Sequence, residues 1–202
     1  MLVPEGVVAN SPDKAVEAAI EIQRHTGTKN WAIKAQIHAG GRGKGGGVKI
    51  AKTLEEVREF ASQIIGMQLV TPQTGPKGKK VRMVLVEQNI YYEGKSETLE
   101  FYVSIVLNKL NGKNMIVYSP KGGMEIEKVA KESPEEIFRE EIDPKIGLKK
   151  FQCRKIAFNL NLSGVAFINM VKFVQSLYEA YLEYDASLFE INPVIKAADD
   201  KI

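Results

Sequence analysis

Six of the chain's 17 glycines fall between Gly40 and Gly47, in the run His38-Ala39-Gly40-Gly41-Arg42-Gly43-Lys44-Gly45-Gly46-Gly47. Such a run can continue neither a helix nor a strand without a large entropic cost. Before it, Trp31, Ile33, Ala35 and Ile37 alternate with Ala32, Lys34, Gln36 and His38, which predicts a strand with one apolar face. After it, Val48 to Ala51 reads as a second short strand. The local fold expected is therefore a glycine-rich hairpin.

A glycine cluster suits an anion, because the missing side chains let backbone N–H groups approach phosphate oxygens. Gly40, Gly41 and Gly43 with Arg42 fit that task. The run lacks the Lys-Ser/Thr pair of a Walker loop, and no GxGxxG followed by a long helix marks a dinucleotide fingerprint. A flexible linker or an Arg-Gly-rich RNA-binding segment is the competing reading. Those segments are usually longer and repetitive, whereas this one is framed by two apolar strands.

The distribution of charge points the same way. Net charge is only +3, too little to argue for nucleic acid. Yet Arg42, Lys44, Lys49 and Lys52 fall within eleven residues that contain no acid, a local field suited to a polyphosphate or simply a solvated basic loop. Lys34 stands mid-strand opposite an apolar rear face, so its ammonium must reach solvent or an anion.

Elsewhere, Ser11-Pro12-Asp13 predicts a helix over 12–25, and Thr53 with Glu56 a capping box ahead of a second helix. Thr71 to Lys80 reads as a loop, Val81 to Glu87 as a β-rich run and residues 91–98 as a surface excursion. Strands are expected near 101–107 and 115–118 around the turn pair Asn111-Gly112, and Ser133-Pro134-Glu135-Glu136 marks another helix start. Helices over 151–160 and 165–184 precede a last strand over 188–195. Strands, hairpins and helices without regular βα alternation favour an α+β fold.

Glu190 and Asn192, two positions apart on that last strand, offer hard oxygen ligands of the kind Mg²⁺ uses; a paired acid and a turn asparagine before Pro193 explain the pattern as well. Glu87 ends a strand, where an exposed backbone edge can read a purine ring or simply meet solvent. His38 could touch phosphate or brace the turn, and His25 fits the last turn of a helix. With 44% hydrophobic and 26% charged residues the composition argues against disorder, and no apolar run suffices to span a bilayer. The start MLVPEGVVAN lacks a secretory pattern, and the lone Cys153 can form no disulfide within the chain, so no membrane association and a reducing, cytoplasmic location are expected.

Three blocks in order, Lys34 to Lys49, Gly122-Gly123-Met124-Glu125-Ile126-Glu127-Lys128-Val129-Ala130 and Phe189-Glu190-Ile191-Asn192-Pro193, resemble the β subunits of succinyl-CoA synthetase (succinate–CoA ligase) over essentially the whole chain. The resemblance implies an ATP-grasp fold of two α+β subdomains around a nucleotide, about 11–90 with the glycine loop and about 91–202. It implies a ligase of the tricarboxylic acid cycle that reversibly forms succinyl-CoA from succinate and CoA, with cleavage of ATP or GTP through a phosphohistidine on a separate α subunit. Lys34, Gly41, Arg42 and Gly43 would then hold phosphates, Glu87 and Ile90 would line the purine, and Glu100 would face the ribose. Asn192 would bind Mg²⁺ and Glu190 would help position the phosphohistidine or the metal. Malate–CoA ligase and ATP-citrate lyase are the enzymatic alternatives, and a basic-loop RNA-binding module is the non-enzymatic one.

Set against that resemblance, an insertion is expected within 91–98, and a leading helix, a second metal-binding aspartate and the C-terminal CoA-ligase domain are expected to lie outside these residues. These 202 residues alone are expected to bind nucleotide weakly and to turn over no substrate. A succinate-dependent ligase assay on the isolated chain checks this, and measurable turnover would contradict it.

Overall fold

The computed structural model describes residues 2–202, arranged as one unit of Val3–Ile90 and a second that contains Tyr91–Ile202. In the first unit, helix α1 (Pro12–Thr26) begins where Ser11 accepts the Lys14 amide at 3.3 Å, and Pro12 takes a first-turn position whose N–H has no helical partner. It ends at Gly27, whose φ of 71° lets its N–H bond back to the Gln23 carbonyl at 2.9 Å. The buried face is Ala15, Ala18, Ala19 and Ile22. Three alanines on one face let the helix lie close to its sheet.

That sheet runs in the order β1 (Gly6–Ala9), β6 (Val84–Gln88), β2 (Trp31–Ala35), β3 (Val48–Ala51), with every pair antiparallel. Helix α1 packs on β1 and β6, α2 (Leu54–Ile64) packs on β2 and β3, and the two helices touch each other. Trp31 is buried between the layers and donates its indole N–H to the Ala19 carbonyl at 3.0 Å. A two-stranded ribbon of β4 (Gln68–Leu69) and β5 (Lys79–Lys80) brackets the segment expected to be a plain loop.

The second unit is a four-stranded antiparallel sheet in the order β10 (Leu188–Lys196), β7 (Leu99–Asn108), β8 (Lys113–Ser119), β9 (Phe138–Ile142). Its core joins Phe101, Val103, Ile105, Ile116 and Tyr118 of the sheet to Ile156 of α4 (Lys150–Asn159) and Met170, Val174 and Leu177 of α5 (Gly164–Glu183). Helix α3 (Ile126–Glu132) follows the Gly122-Gly123 segment. No helix among the described residues is long and apolar enough to cross a membrane.

Several expectations are corrected. Ser133-Pro134 starts only a 3₁₀ turn, Pro134–Glu136; Ser133 makes no side-chain cap bond, and β9 follows at once because β8 offers an edge to pair with. The glutamate of the Thr53 box reaches past Thr53 to the Lys52 amide at 2.6 Å, while Thr53 still accepts from Glu56 at 3.2 Å. The β7–β8 turn is a four-residue loop closed at Asn108 and Lys113, with Gly112 at φ 68°. Strand β2 stops at Ala35, so Gln36 and His38 lie outside it, and Ala32 is buried although it alternates with the apolar set.

The excursion at 91–98 is stapled down. Buried Lys196 donates to Ser96 Oγ at 2.7 Å and to the Glu97 carbonyl at 2.6 Å and pairs with Asp200 at 3.2 Å, while Ser96 donates to the Ala198 carbonyl and to Asp200. A buried ammonium with three acceptors is satisfied. Desolvation, and then the Asp199 carboxylate beside it, push the Tyr92 hydroxyl up to about 12.

Cys153 lies fully buried, where desolvation pushes its thiol from an ordinary 9.0 up to about 11. The neutral thiol is the form the fold accepts. Its contribution to stability is therefore complete below about pH 9 and is lost as pH rises toward 11. Thiol reagents at pH 8 are expected to label the native chain far more slowly than the unfolded one, and Cys153→Ala is expected to flatten the loss of stability between those pH values. Fast native labelling would contradict the burial.

Candidate functional site

Antiparallel pairing of β2 with both β3 and β6 fixes where the glycine run can go. Lys34 lies opposite Leu85, and Glu87 opposite Ala32 two residues along, so Lys34 and Glu87 are diagonal neighbours on one face of the sheet. Their side chains form a salt bridge in which the Lys34 ammonium donates to Glu87 Oε2. Glu87 is the more buried partner, its side chain 14% exposed against 32% for Lys34. The sequence reading gave these residues separate tasks, phosphate and purine; the structure joins them. One of the three N–H donors of Lys34 is thereby engaged, and two remain for another anion.

The loop beyond β2 is braced from within. Ala35 N–H donates to the Gly47 carbonyl at 2.7 Å, Gly47 N–H to the Arg42 carbonyl at 2.8 Å, and the Arg42 guanidinium to the Ala35 carbonyl at 3.1 Å. Gln73 and Lys79 hold it from outside: Gln73 Oε1 accepts the Gly40 amide at 2.6 Å and Lys79 Nζ donates to the His38 carbonyl at 2.8 Å. Neither residue stood out in the sequence, since both come from the segment read as a loop. Among the described residues, the backbone N–H groups of Gly41, Arg42 and Gly43 make no hydrogen bond, and Gly41 has φ 70°. Three consecutive open amides beside an arginine are a ready anion cradle.

In the second unit the irregularity of β10 carries the other group. Val103 pairs with Ile191 and Phe101 with Val194, so Asn192 and Pro193, joined by a cis peptide, together face Tyr102. Glu190 and Asn192 are both exposed while Phe189 and Ile191 pack against the core, and hydrogen bonds then hold the side chain of Asn192. Its Oδ1 accepts the Gly123 amide and its Nδ2 donates to the Met124 carbonyl, both at 2.8 Å. Tyr102, missed in the sequence, donates its hydroxyl to Glu190 Oε2 at 3.1 Å. Burial foremost, then the charges of Glu190 and Glu127, raise that hydroxyl above the ordinary tyrosine value, against a hydrogen bond with Ser104. It stays a donor at neutral pH.

Glu100 accepts the hydroxyl of Tyr91 and lies over Gly123. Ile90, half-buried, is the last residue of the first unit. His25 pairs with Glu5 at 2.7 Å.

No cluster of three or more His, Cys, Asp or Glu among the described residues could hold a metal. The donors present are the exposed carboxylate of Glu190 and the second lone pair of Asn192 Oδ1. A sparse set of hard oxygens fits Mg²⁺, which retains waters and takes substrate phosphates as ligands.

A family model described as an ATP-grasp domain matches residues 1–196. The chain belongs to the ATP-grasp family. It is 62% identical over 200 residues to the ADP-forming succinate–CoA ligase β subunit of Flavobacterium johnsoniae, and 60% identical over 200 residues to that of Flavobacterium psychrophilum. Each match covers 99% of this chain and 50% of the relative. The chain thus spans about half the length of the curated relatives it matches, and the resemblance read from its three blocks stands. The dinucleotide-forming acetyl-coenzyme A synthetase 1 of Candidatus Korarchaeum cryptofilum shares the ATP-grasp fold at TM-score 0.68 and 18% identity, over 96% of this chain and 79% of that one. ATP citrate lyase from Methanothrix soehngenii does so at TM-score 0.62 and 18% identity, over 93% and 40%.

Glycine in this ATP-grasp loop serves two ends that substitution separates. A Cβ on Gly45 would lie 2.5 Å from the Val70 carbonyl oxygen and 2.7 Å from Leu69 Cδ1, whereas one on Gly43 would meet nothing within 4 Å. Gly45→Ala is expected to destabilise the Val3–Ile90 unit by about 1–3 kcal/mol. Gly43→Ala should stay within about 0.5 kcal/mol of the parent. Denaturant unfolding followed by the fluorescence of Trp31, the sole tryptophan, reads both; equal effects would contradict the packing described.

Proposed function

We propose that this chain is the nucleotide-binding part of a succinate–CoA ligase β subunit, working with an α subunit to form succinyl-CoA from succinate and CoA at the expense of a nucleoside triphosphate. The observation that carries the reading is 62% identity over 200 residues to a β subunit of that activity. Because the relatives are ADP-forming, the nucleotide proposed is ATP rather than GTP.

Phosphoryl transfer asks a protein mainly for positioning and for charge neutralisation. In this reading the open amides of Gly41, Arg42 and Gly43 take phosphate oxygens, and Arg42 adds a fixed fork of donors. Lys34 brings a point charge whose resting partner, Glu87, keeps it aligned and lets it share its donors with an incoming anion. Glu87 and Ile90 serve the purine, with the last strand of the unit offering backbone atoms. Glu100, oriented by Tyr91, serves the ribose.

Asn192 and Glu190 would hold Mg²⁺, which would supply positive charge to neutralise phosphate. Tyr102 fixes the Glu190 carboxylate by donating to one oxygen, leaving the other for a cation or the imidazole of a visiting phosphohistidine. The α subunit is the proposed source of that histidine.

Lys34→Ala in the complete β subunit assembled with its α subunit is expected to lower succinate-dependent phosphoryl transfer by about a hundredfold or more, as loss of a charge-stabilising donor does elsewhere. Unchanged turnover, measured with ATP at saturation, would remove Lys34 from the phosphate site.

A further inference from the structure

Asn192 engages both ends of its carboxamide on a single short piece of backbone: Oδ1 takes the Gly123 N–H and Nδ2 reaches the Met124 carbonyl, each at 2.8 Å. A flipped amide would set its NH₂ against an N–H and its oxygen against a carbonyl. The two contacts therefore fix which way the oxygen faces.

The backbone piece itself has only one seat. Gly122 N–H donates to the Glu100 carbonyl at 3.1 Å, and a Cβ on Gly122 would lie 2.4 Å from the Phe101 nitrogen and 2.5 Å from the Glu100 carbonyl carbon. Gly123 follows at φ 70°, and a Cβ there would lie 1.9 Å from Glu100 Oε2. Only glycine at 122 can lie so close on the backbone of strand β7, and the left-handed φ at 123 favours a second glycine. Their absent side chains bring Gly123 and Met124 within reach of the β10 bulge.

We infer that the Gly122–Met124 segment is a positioning element for the metal ligand Asn192. Strand β7 seats the segment, the segment orients the carboxamide, and the remaining lone pair of Oδ1 is aimed before a cation arrives. The inference rests on the proposed role of Asn192 toward Mg²⁺. That ion demands near-ideal geometry, so an asparagine free to rotate would be a poorer ligand than one held at both ends. A glycine pair in the block 122–130 is thus explained by close backbone approach, with no phosphate contact of its own.

The test uses the full chain with ADP and Mn²⁺ as the probe ion, its affinity read from water-proton relaxation, together with ¹⁵N spectra of the Asn192 side-chain NH₂ in metal-free protein. The parent is expected to show slowly exchanging NH₂ protons at Asn192; exchange at the rate of a free amide overturns the inference without any variant. Gly122→Ala is expected to lose that protection and to weaken Mn²⁺ by about 10–100-fold, with its thermal unfolding still cooperative. Asn192→Asp keeps an oxygen ligand but loses the donor to Met124, and is expected to bind Mn²⁺ more weakly than the parent despite its added negative charge; tighter binding overturns the inference. Asn192→Ala separates the two layers. If it leaves Mn²⁺ affinity unchanged, the metal reading itself fails; if it weakens Mn²⁺ while Gly122→Ala does not, only the positioning role fails.

Discussion

Close approach of backbone to backbone, possible only where a side chain is missing, is the constraint on which both halves of this structure depend. In the first unit Gly45 and Gly47 bring the loop against Leu69 and Val70, and a Cβ on Gly47 would sit 2.6 Å from Leu69 Cδ2. In the second, Gly122 lies on the backbone of Glu100 and Phe101. Each approach leaves a particular set of polar groups turned outward. The first exposes the amides of Gly41, Arg42 and Gly43; the second holds Asn192 by its amide. Glycine costs order elsewhere in a fold, and here the cost is offset by a geometry no other residue permits.

The framing elements then act as rigid supports. Helix α1 and helix α2 cover one face of the β1-β6-β2-β3 sheet, and Lys34 and Glu87 emerge from the other. The pairing gives the more buried Glu87 carboxylate a partner for its charge. Sites that must receive a highly charged ligand face a general conflict: cations strong enough to hold it repel one another when it is gone. A shared carboxylate relieves that conflict locally. Similar economy is visible at Lys196, where a buried ammonium is satisfied by Ser96, Glu97 and Asp200. There it staples the 91–98 excursion in place.

How much of this was legible beforehand follows from the range of each signal. Helix α1, helix α2 and the glycine hairpin were readable because caps, apolar spacing and glycine density act within a few residues. The pairing of Lys34 with Glu87 was not, since it depends on which strands become neighbours and in what register across 53 residues. Gln73 and Lys79 escaped for the same reason. Asn192 was found as a candidate ligand by residue type, but its contacts with Gly123 and Met124 were not, because a bulge and a pairing across 69 residues are invisible to a period-two pattern. Strand β9 was lost to the Ser-Pro-Glu-Glu signal beside it: a local cap motif outvoted a strand whose stability comes from β8.

At the centre stands the claim that Gly41–Gly43 form the phosphate cradle of this ATP-grasp chain. Its most direct measurement is a titration of the ¹⁵N-labelled chain with Mg²⁺–ADP, following backbone amides. The account predicts large shifts at Gly41, Arg42 and Gly43, whose N–H groups are open, and small ones at Gly47, whose N–H is already bonded to Arg42. Saturating nucleotide that perturbs other residues while leaving those three amides unmoved would contradict it.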